Sequence, residues 1–328
     1  MNKKDLEKKL LDLIKADDLG QLDSPSGDDL PRPIAKKVIE EIKEKNIIRR
    51  LFPSIQVPKS ARNLTIPVLT YGSNNVKTIG YGTSIASALN EQTFSTGSVI
   101  LTPRLLVAYV DVIEDDLETA IVDLAKYIRQ TLTTQLAAAE EIAMIKGVYA
   151  SGNQTYDKAF DGIWTVAKGE GTLAAATSPI TFSSSDNLVD KIADAKNALG
   201  VYGKEPVNLV LVCGSKFATN LRKTDRVYSQ EYRVDTDVLK TGHLPPILGV
   251  KVLETTYLDD KYAGNCAVLV RKDAFIIGIR KNVAFRTKDL VDEFKKRIII
   301  AEEVDFKPVL KNSSGTYEGI VALYNPNS

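Results

Sequence analysis

The spacing of hydrophobic residues changes period once between residues 97 and 147. The run SVILTPRLLVAYVDV, residues 98–112, alternates, and Val99, Leu101, Val107, Tyr109 and Val110 give it strand character. It predicts one strand from Val99 to Val112. From Ile113 the apolar positions fall at Leu117, Ile121, Leu124, Ile128, Leu132, Leu136, Ala139 and Ala143, steps of three and four that mark one helical stripe. Glu114, Asp115, Asp116 and Glu118 sit where the first turn favours negative charge, Lys146 sits in the last turn, and Gly147 is placed to take a left-handed cap. The predicted helix of about 33 residues is a rod of ~50 Å. Its middle, Gln130 to Ala139, holds no charge. A rod that is neutral all round its middle wants cover on several sides, and a neighbouring subunit is one source of it.

The flanking segments differ in kind. Residues 1–22 read as a short charged amphipathic helix, 23–33 as a Pro-, Asp- and Ser-rich linker, and Ile34 to Ile48 as a second amphipathic helix. Pro53 and Pro58 then hold the chain extended. Asn63 to Thr70 alternates like a strand, and from there to Ser98 the only charges are Lys77 and Glu91. That stretch is either a poorly ordered loop or a long β-hairpin whose faces rest on neighbouring chains. Further on, Leu188, Ile192, Ala195 and Leu199 mark a helix, and Val207 to Val212 reads as a buried strand. Ser215 to Arg222 reads as a helix with Ser215 as N-cap. Val250–Leu253, Ala267–Val270, Ala274–Ile279, Arg297–Leu310 and Glu318–Leu323 complete the strands.

Composition narrows the function. Lys plus Arg number 43 and Asp plus Glu 42, so the chain lacks the basic excess of a protein that wraps nucleic acid. No run of 18 apolar residues exists to span a membrane. The two cysteines, Cys213 and Cys266, lie in apolar strand-like runs and read as buried thiols. Trp164 reads as a packing residue.

Catalytic chemistry is hard to place. His243 is the one histidine, in a GHLPP loop with no motif around it. No G-x-S-x-G, CxxC, Walker loop or dinucleotide fingerprint is present. Gly80–Tyr81–Gly82 is too little to use. Adjacent carboxylates occur at Asp115/Asp116, Glu140/Glu141, Asp259/Asp260 and Glu302/Glu303. Neighbours on one helical turn point apart, so spacing makes none of them a catalytic pair. Asp115/Asp116 fits a helix start, and Glu302/Glu303, after Ile298–Ile300, fits a charged rim. The expectation is no catalytic residue, no cofactor and no metal.

The order of these parts resembles the tailed-phage major capsid proteins, the Hong Kong-97-type shell fold that encapsulins share. Two stretches carry the resemblance: SVILTPRLLVAYVDVIEDDLETAIVDLAKYIRQTLTTQLAAAEEIAMIKG, followed by the Gly162–Ile163 pair, and EFKKRIIIAEEVDFKPV. LGVKVLET is similar to the strand that closes the family's central domain. The resemblance covers roughly residues 34–324. It implies an α+β fold with an N-terminal arm (1–58), an extended hairpin loop (59–98), a peripheral domain with a spine helix (99–185), an axial domain (186–290) and C-terminal strands returning to the peripheral domain (291–328). It implies a non-enzymatic major capsid protein that forms the hexamers and pentamers of an icosahedral head around the double-stranded DNA of a tailed virus. The alternative is an encapsulin-type compartment enclosing a cargo enzyme.

The implied partners are other copies of the chain, a portal protein and a separate scaffolding protein, since only residues 1–33 precede the arm helix. Packaged DNA is near only by proximity, and no membrane is involved. The implied location is the virion capsid, assembled in the host cytoplasm. Members that cross-link covalently use a Lys in the extended loop, an Asn near the last peripheral strand and a nearby Glu. Lys77 and Glu302 stand for the Lys and Glu, but Lys295, Lys296 and Arg297 occupy the Asn region. No isopeptide bond is expected, with Asn282 and Asn312 the next candidates.

Overall fold

The structure is a computed structural model that describes residues 48–71, 94–113, 124–152, 155–224, 244–312 and 314–327. The segment 1–22, the helix expected from Ile34 up to its last residue, Lys77, the acidic helix start at 114–118 and His243 lie outside these residues.

A four-residue helix α1 (Ile48–Leu51) leads into β1 (Ser54–Gln56), then β2 (Leu64–Tyr71), β3 (Phe94–Leu101) and β4 (Arg104–Ile113). The long helix α2 (Leu124–Lys146) follows, then α3 (Ile163–Lys168), β5 (Ile180–Thr181) and α4 (Leu188–Ala198). β6 (Leu209–Cys213), α5 (Ser215–Arg222), β7 (Lys251–Glu254) and β8 (Cys266–Arg271) come next. The chain closes with β9 (Phe275–Leu290), β10 (Lys295–Pro308) and β11 (Ile320–Tyr324).

Three sheets result. One has the order β1-β9-β10-β4, one β5-β11-β8-β6-β7, and the third is the β2-β3 pair alone. β6 carries side chains buried on both faces, which is why its sequence is a continuous apolar run. Leu209, Leu211 and Cys213 meet α4 and α5, while Val210 and Val212 meet the core that continues to α2, α3 and β10. Trp164 lies fully buried in that second core, as expected of a packing residue.

The structure corrects four local expectations. The single strand from Val99 to Val112 is two strands, because Pro103 fixes its own φ and offers no amide hydrogen, which ends the ladder. β3 then pairs back on β2, Leu64 opposite Leu101 and Tyr71 opposite Phe94, and β4 pairs with β10. The strand expected to end at Ile279 runs on to Leu290, paired to β10 almost throughout. Its distal part is exposed on both faces, so its sequence has no clean alternation. β6, β7 and β8 lie in the five-stranded sheet and β9 in the four-stranded one.

Gly147 ends α2 as expected but not with a left-handed cap; it has no positive φ. Its small size is what matters: a Cβ there would stand 2.5 Å from the Ala143 carbonyl oxygen and 2.6 Å from that of Phe160. Ser215 is the first residue of α5 rather than its cap. Gly214 occupies the cap position, and the Asp259 carboxylate accepts both the Ser215 amide (2.8 Å) and hydroxyl (2.7 Å).

Candidate functional site

The surfaces available for assembly start from the β2-β3 hairpin. Its base is anchored where Val99 and Leu101 are buried. Leu101 packs so closely on β9 that a Cβ at Gly278 would come within 2.9 Å of it. Farther out, Leu64, Ile66 and Val68 are only half buried and Thr65 and Pro67 are exposed. A two-stranded sheet by itself is at best marginally stable in water, so this arm suits an outside support.

β4 provides a second surface. Leu106 and Val112 face inward, while Leu105, Val107, Tyr109 and Ile113 form an exposed apolar column of period two. β4 is an edge strand among the described residues. An exposed apolar edge strand invites another chain. Beside it, Arg297 holds Asp111 through two bonds of 2.6 Å and lies 4.5 Å from the Tyr109 ring centre. That contact keeps the Asp111 carboxyl below the usual range. A cleft of about 810 Å³ separates β4 from α2, lined by residues that include Leu105, Val107, Leu136, Ala139, Ile142 and Tyr156.

The neutral middle of α2 contributes as well. Leu132 and Leu136 are buried, but Thr133, Thr134 and Gln135 face outward and carry no charge. Thr133 and Thr134 turn their hydroxyls back to the carbonyls of Arg129 and Gln130, which leaves a face with little call on water. At the far end of the molecule's long ribbon, Val291 and Phe294 are exposed at the turn between β9 and β10.

The paired carboxylates come apart in instructive ways. Glu302 and Glu303 are not a solvated rim; both are buried, on opposite sides of β10. Glu303 is held by Arg280 and Lys281, and the Arg280 bond keeps its carboxyl below the usual range. Glu302 points instead to Arg49, which also holds Glu140. Glu141 accepts the Ile48 amide at 2.9 Å. Asp260 pairs with Lys146 at 2.8 Å. In the region expected to lack the cross-linking Asn, Lys295 pairs with Glu293, Lys296 with Asp289 and Arg297 with Asp111.

Sequence reasoning missed the Arg49–Glu140–Glu302 group, whose members lie far apart in the chain. The one available signal was a Glu pair inside the apolar end of a helix. It also missed Asp161, which ties two loops together. Its carboxylate accepts the amides of Tyr149 (2.9 Å), Thr172 (3.1 Å) and Leu173 (3.2 Å) and the Thr172 hydroxyl (2.6 Å).

Cys213 and Cys266 are free and buried, and burial pushes both thiols up, Cys266 to about 12. Among the described residues, no three His, Cys, Asp or Glu side chains are grouped so as to hold a metal ion, and no helix is long and apolar enough to cross a membrane. The features that stand out among the described residues are the exposed and half-exposed apolar surfaces of β4, β2 and the β9-β10 turn.

The model of the phage capsid family matches residues 27–314. No curated protein matches the sequence. Among solved structures, the chain is similar to the capsid of a native GTA particle, at 19% identity and TM-score 0.66 over 93% of this chain and 99% of that one. It is similar to the mature capsid of bacteriophage PhiM1, at 11% identity and TM-score 0.64 over 92% and 93%. It is also similar to the Mycobacterium phage Che8 structure, at 16% identity and TM-score 0.61 over 90% and 97%. At these identities the likeness establishes the fold, the Hong Kong-97-type shell fold.

Proposed function

The chain belongs to the phage capsid family, and from that premise we propose that its copies form the hexamers and pentamers of an icosahedral head around the genome of a tailed double-stranded DNA virus. It is a major capsid protein, a structural component of the virion shell that associates with itself. The observation that carries the assembly reading is the set of surfaces left without support in one chain. The two-stranded hairpin, the apolar column on β4 and the uncharged middle of α2 all want a neighbour. Surfaces that differ from one another, rather than one self-complementary patch, fit head-to-tail contacts that close into rings.

In this reading the axial domain, expected at 186–290, is built on α4, α5 and strands β6, β7 and β8, with β5 and β11 completing its sheet, and α2 with the long β4-β10-β9 ribbon forms the peripheral domain. Residues 1–58 act as an arm and 59–98 as the loop that lies over the adjacent subunit. A separate scaffolding protein and a portal protein complete the head, which assembles in the host cytoplasm. DNA is enclosed rather than bound, in keeping with the near-zero net charge. The encapsulin alternative is not favoured, since the matching family is that of phage capsids and the similar structures include phage capsids.

Electron microscopy of the purified chain tests the proposal. Closed shells, or rings of five and six subunits, are expected. A chain that stays monomeric by light scattering at high concentration across salt conditions would overturn it.

A further inference from the structure

Arg49 stands between two carboxylates that solvent does not reach. Its Nη1 donates to Glu140 Oε2 at 2.8 Å and to Glu302 Oε2 at 3.3 Å. Glu140 comes from the last turns of α2 and Glu302 from the middle of β10, and they are 1% and 2% exposed. Glu141, also buried, accepts the Ile48 amide. Two buried carboxylates thus share one guanidinium nitrogen, with a third close by on α2. The second oxygen of Glu140 and the second oxygen of Glu302 are buried with no hydrogen-bond partner.

That arrangement is unfavourable if every carboxyl is ionised. A buried carboxylate needs its lone pairs met, and two that share one nitrogen repel each other at low dielectric. A single proton relieves both problems. It removes one negative charge and, placed on a second oxygen, leaves one fewer charged acceptor unmet.

We propose that Glu140 and Glu302 hold one proton between them, and that this proton keeps the C-terminal half of α2 seated on β10. Losing it leaves two like charges, one on the helix and one on the strand, with only Arg49 to bridge them. The seam between helix and sheet then opens to water.

The surroundings agree. The charged groups that face the pair are Arg49 from α1 and Glu141 from α2. Opposite Glu302 on β4 is Leu106, and Glu303 turns away to Arg280 and Lys281. Burial, followed by the charge of Glu302, raises Glu140 to about 7 against the pull of Arg49. Burial raises Glu302 as well. The sign follows from linkage. A carboxyl raised in the folded state contributes stability that is fully present below its unfolded value and is lost as pH rises through the folded value. The seam is therefore tightest in mild acid, loosens as pH rises toward about 7, and changes no further above that.

The test uses the full chain as purified. Hydrogen exchange of α2 and β10 is followed from about pH 4 to about pH 9 and corrected for intrinsic exchange. Protection at the seam is expected to fall by up to about tenfold per pH unit between about pH 4.5 and about 7, and to level off above that. Glu302→Gln, which removes one of the two like charges, is expected to flatten that profile, and Glu140→Gln to do the same from the other side. An infrared band of a buried protonated carboxyl is expected in the unmodified chain and absent from both variants. A flat profile in the unmodified chain, or an unchanged slope in both variants, would overturn the proposal. If one variant fails to fold, the other variant and the infrared band still decide it.

Discussion

The Gly162 amide donates to the Gly147 carbonyl oxygen at 2.9 Å, so the end of the long helix and the start of the next one meet backbone to backbone. Neither residue leaves room for a side chain. A Cβ at Gly162 would lie 2.7 Å from the Ile145 carbonyl carbon, and one at Gly147 2.5 Å from the Ala143 oxygen. Gly162→Ala and Gly147→Ala are each expected to destabilise the subunit by about 1–3 kcal/mol, the usual scale of overpacking. Urea unfolding followed by circular dichroism measures this; a loss near zero would mean that the two segments part easily.

Asp259 serves α5 from 44 residues away, accepting the Ser215 amide and hydroxyl. Asp259→Ala is expected to lower stability by about 0.5–2 kcal/mol, as loss of an N-cap does. Asp259→Asn, which keeps an acceptor oxygen, should cost less. Equal losses in the two variants would locate the effect outside the cap.

Cys213 and Cys266 are buried thiols whose ionisation burial opposes. The thiolate is the reactive form, so the folded chain is expected to resist a thiol-disulfide reagent at about pH 8. Both cysteines should react once guanidinium unfolds it. Rapid labelling of the native chain would show that one of them reaches solvent.

The β2-β3 hairpin stands as its own sheet, with half-exposed apolar residues along β2. Amide exchange in Leu64–Tyr71 and Phe94–Leu101 is expected to be fast in the isolated chain and slow after assembly, with the buried end at Val99 and Leu101 slowest throughout. Equal protection in both states would remove the hairpin from the contacts that hold the shell.

Covalent linkage between subunits is not expected. Glu302, the candidate carboxylate, is engaged by Arg49, and Lys295, Lys296 and Arg297 are each ion-paired along the ribbon. Shells boiled in detergent should run as one band near 36.0 kDa. A ladder of multiples that survives reducing agent would point to Asn282 or Asn312.

Local patterns were legible where burial is one-sided or complete. Leu188, Ile192 and Ala195 face inward from α4 as their spacing predicts, and the apolar run around Leu209–Cys213 is a central strand. The order of these parts was enough to indicate the shell fold. The division of β3 from β4 at Thr102–Pro103 was overlooked because the alternation continues across the break. The length of β9 was hidden because both faces of its outer half meet solvent. The Arg49–Glu140–Glu302 group escaped for a different reason: Arg49 and Glu302 are 253 residues apart, and no local period encodes their meeting.

The strand nearest the end of the described chain sits inside a sheet. β11 lies between β5 and β8, with Ile320, Val321, Ala322 and Leu323 wholly buried and Ile320 opposite Val270. As the chain leaves the ribosome, β5 and β8 wait for a neighbour that emerges some fifty residues after β8. Until then the edge of β8 that β11 will cover stays open to whatever is near. This sheet is therefore completed only after β11 has emerged. In a cell making many copies at once, half-finished sheets with open edges are the species most prone to pair with the wrong chain.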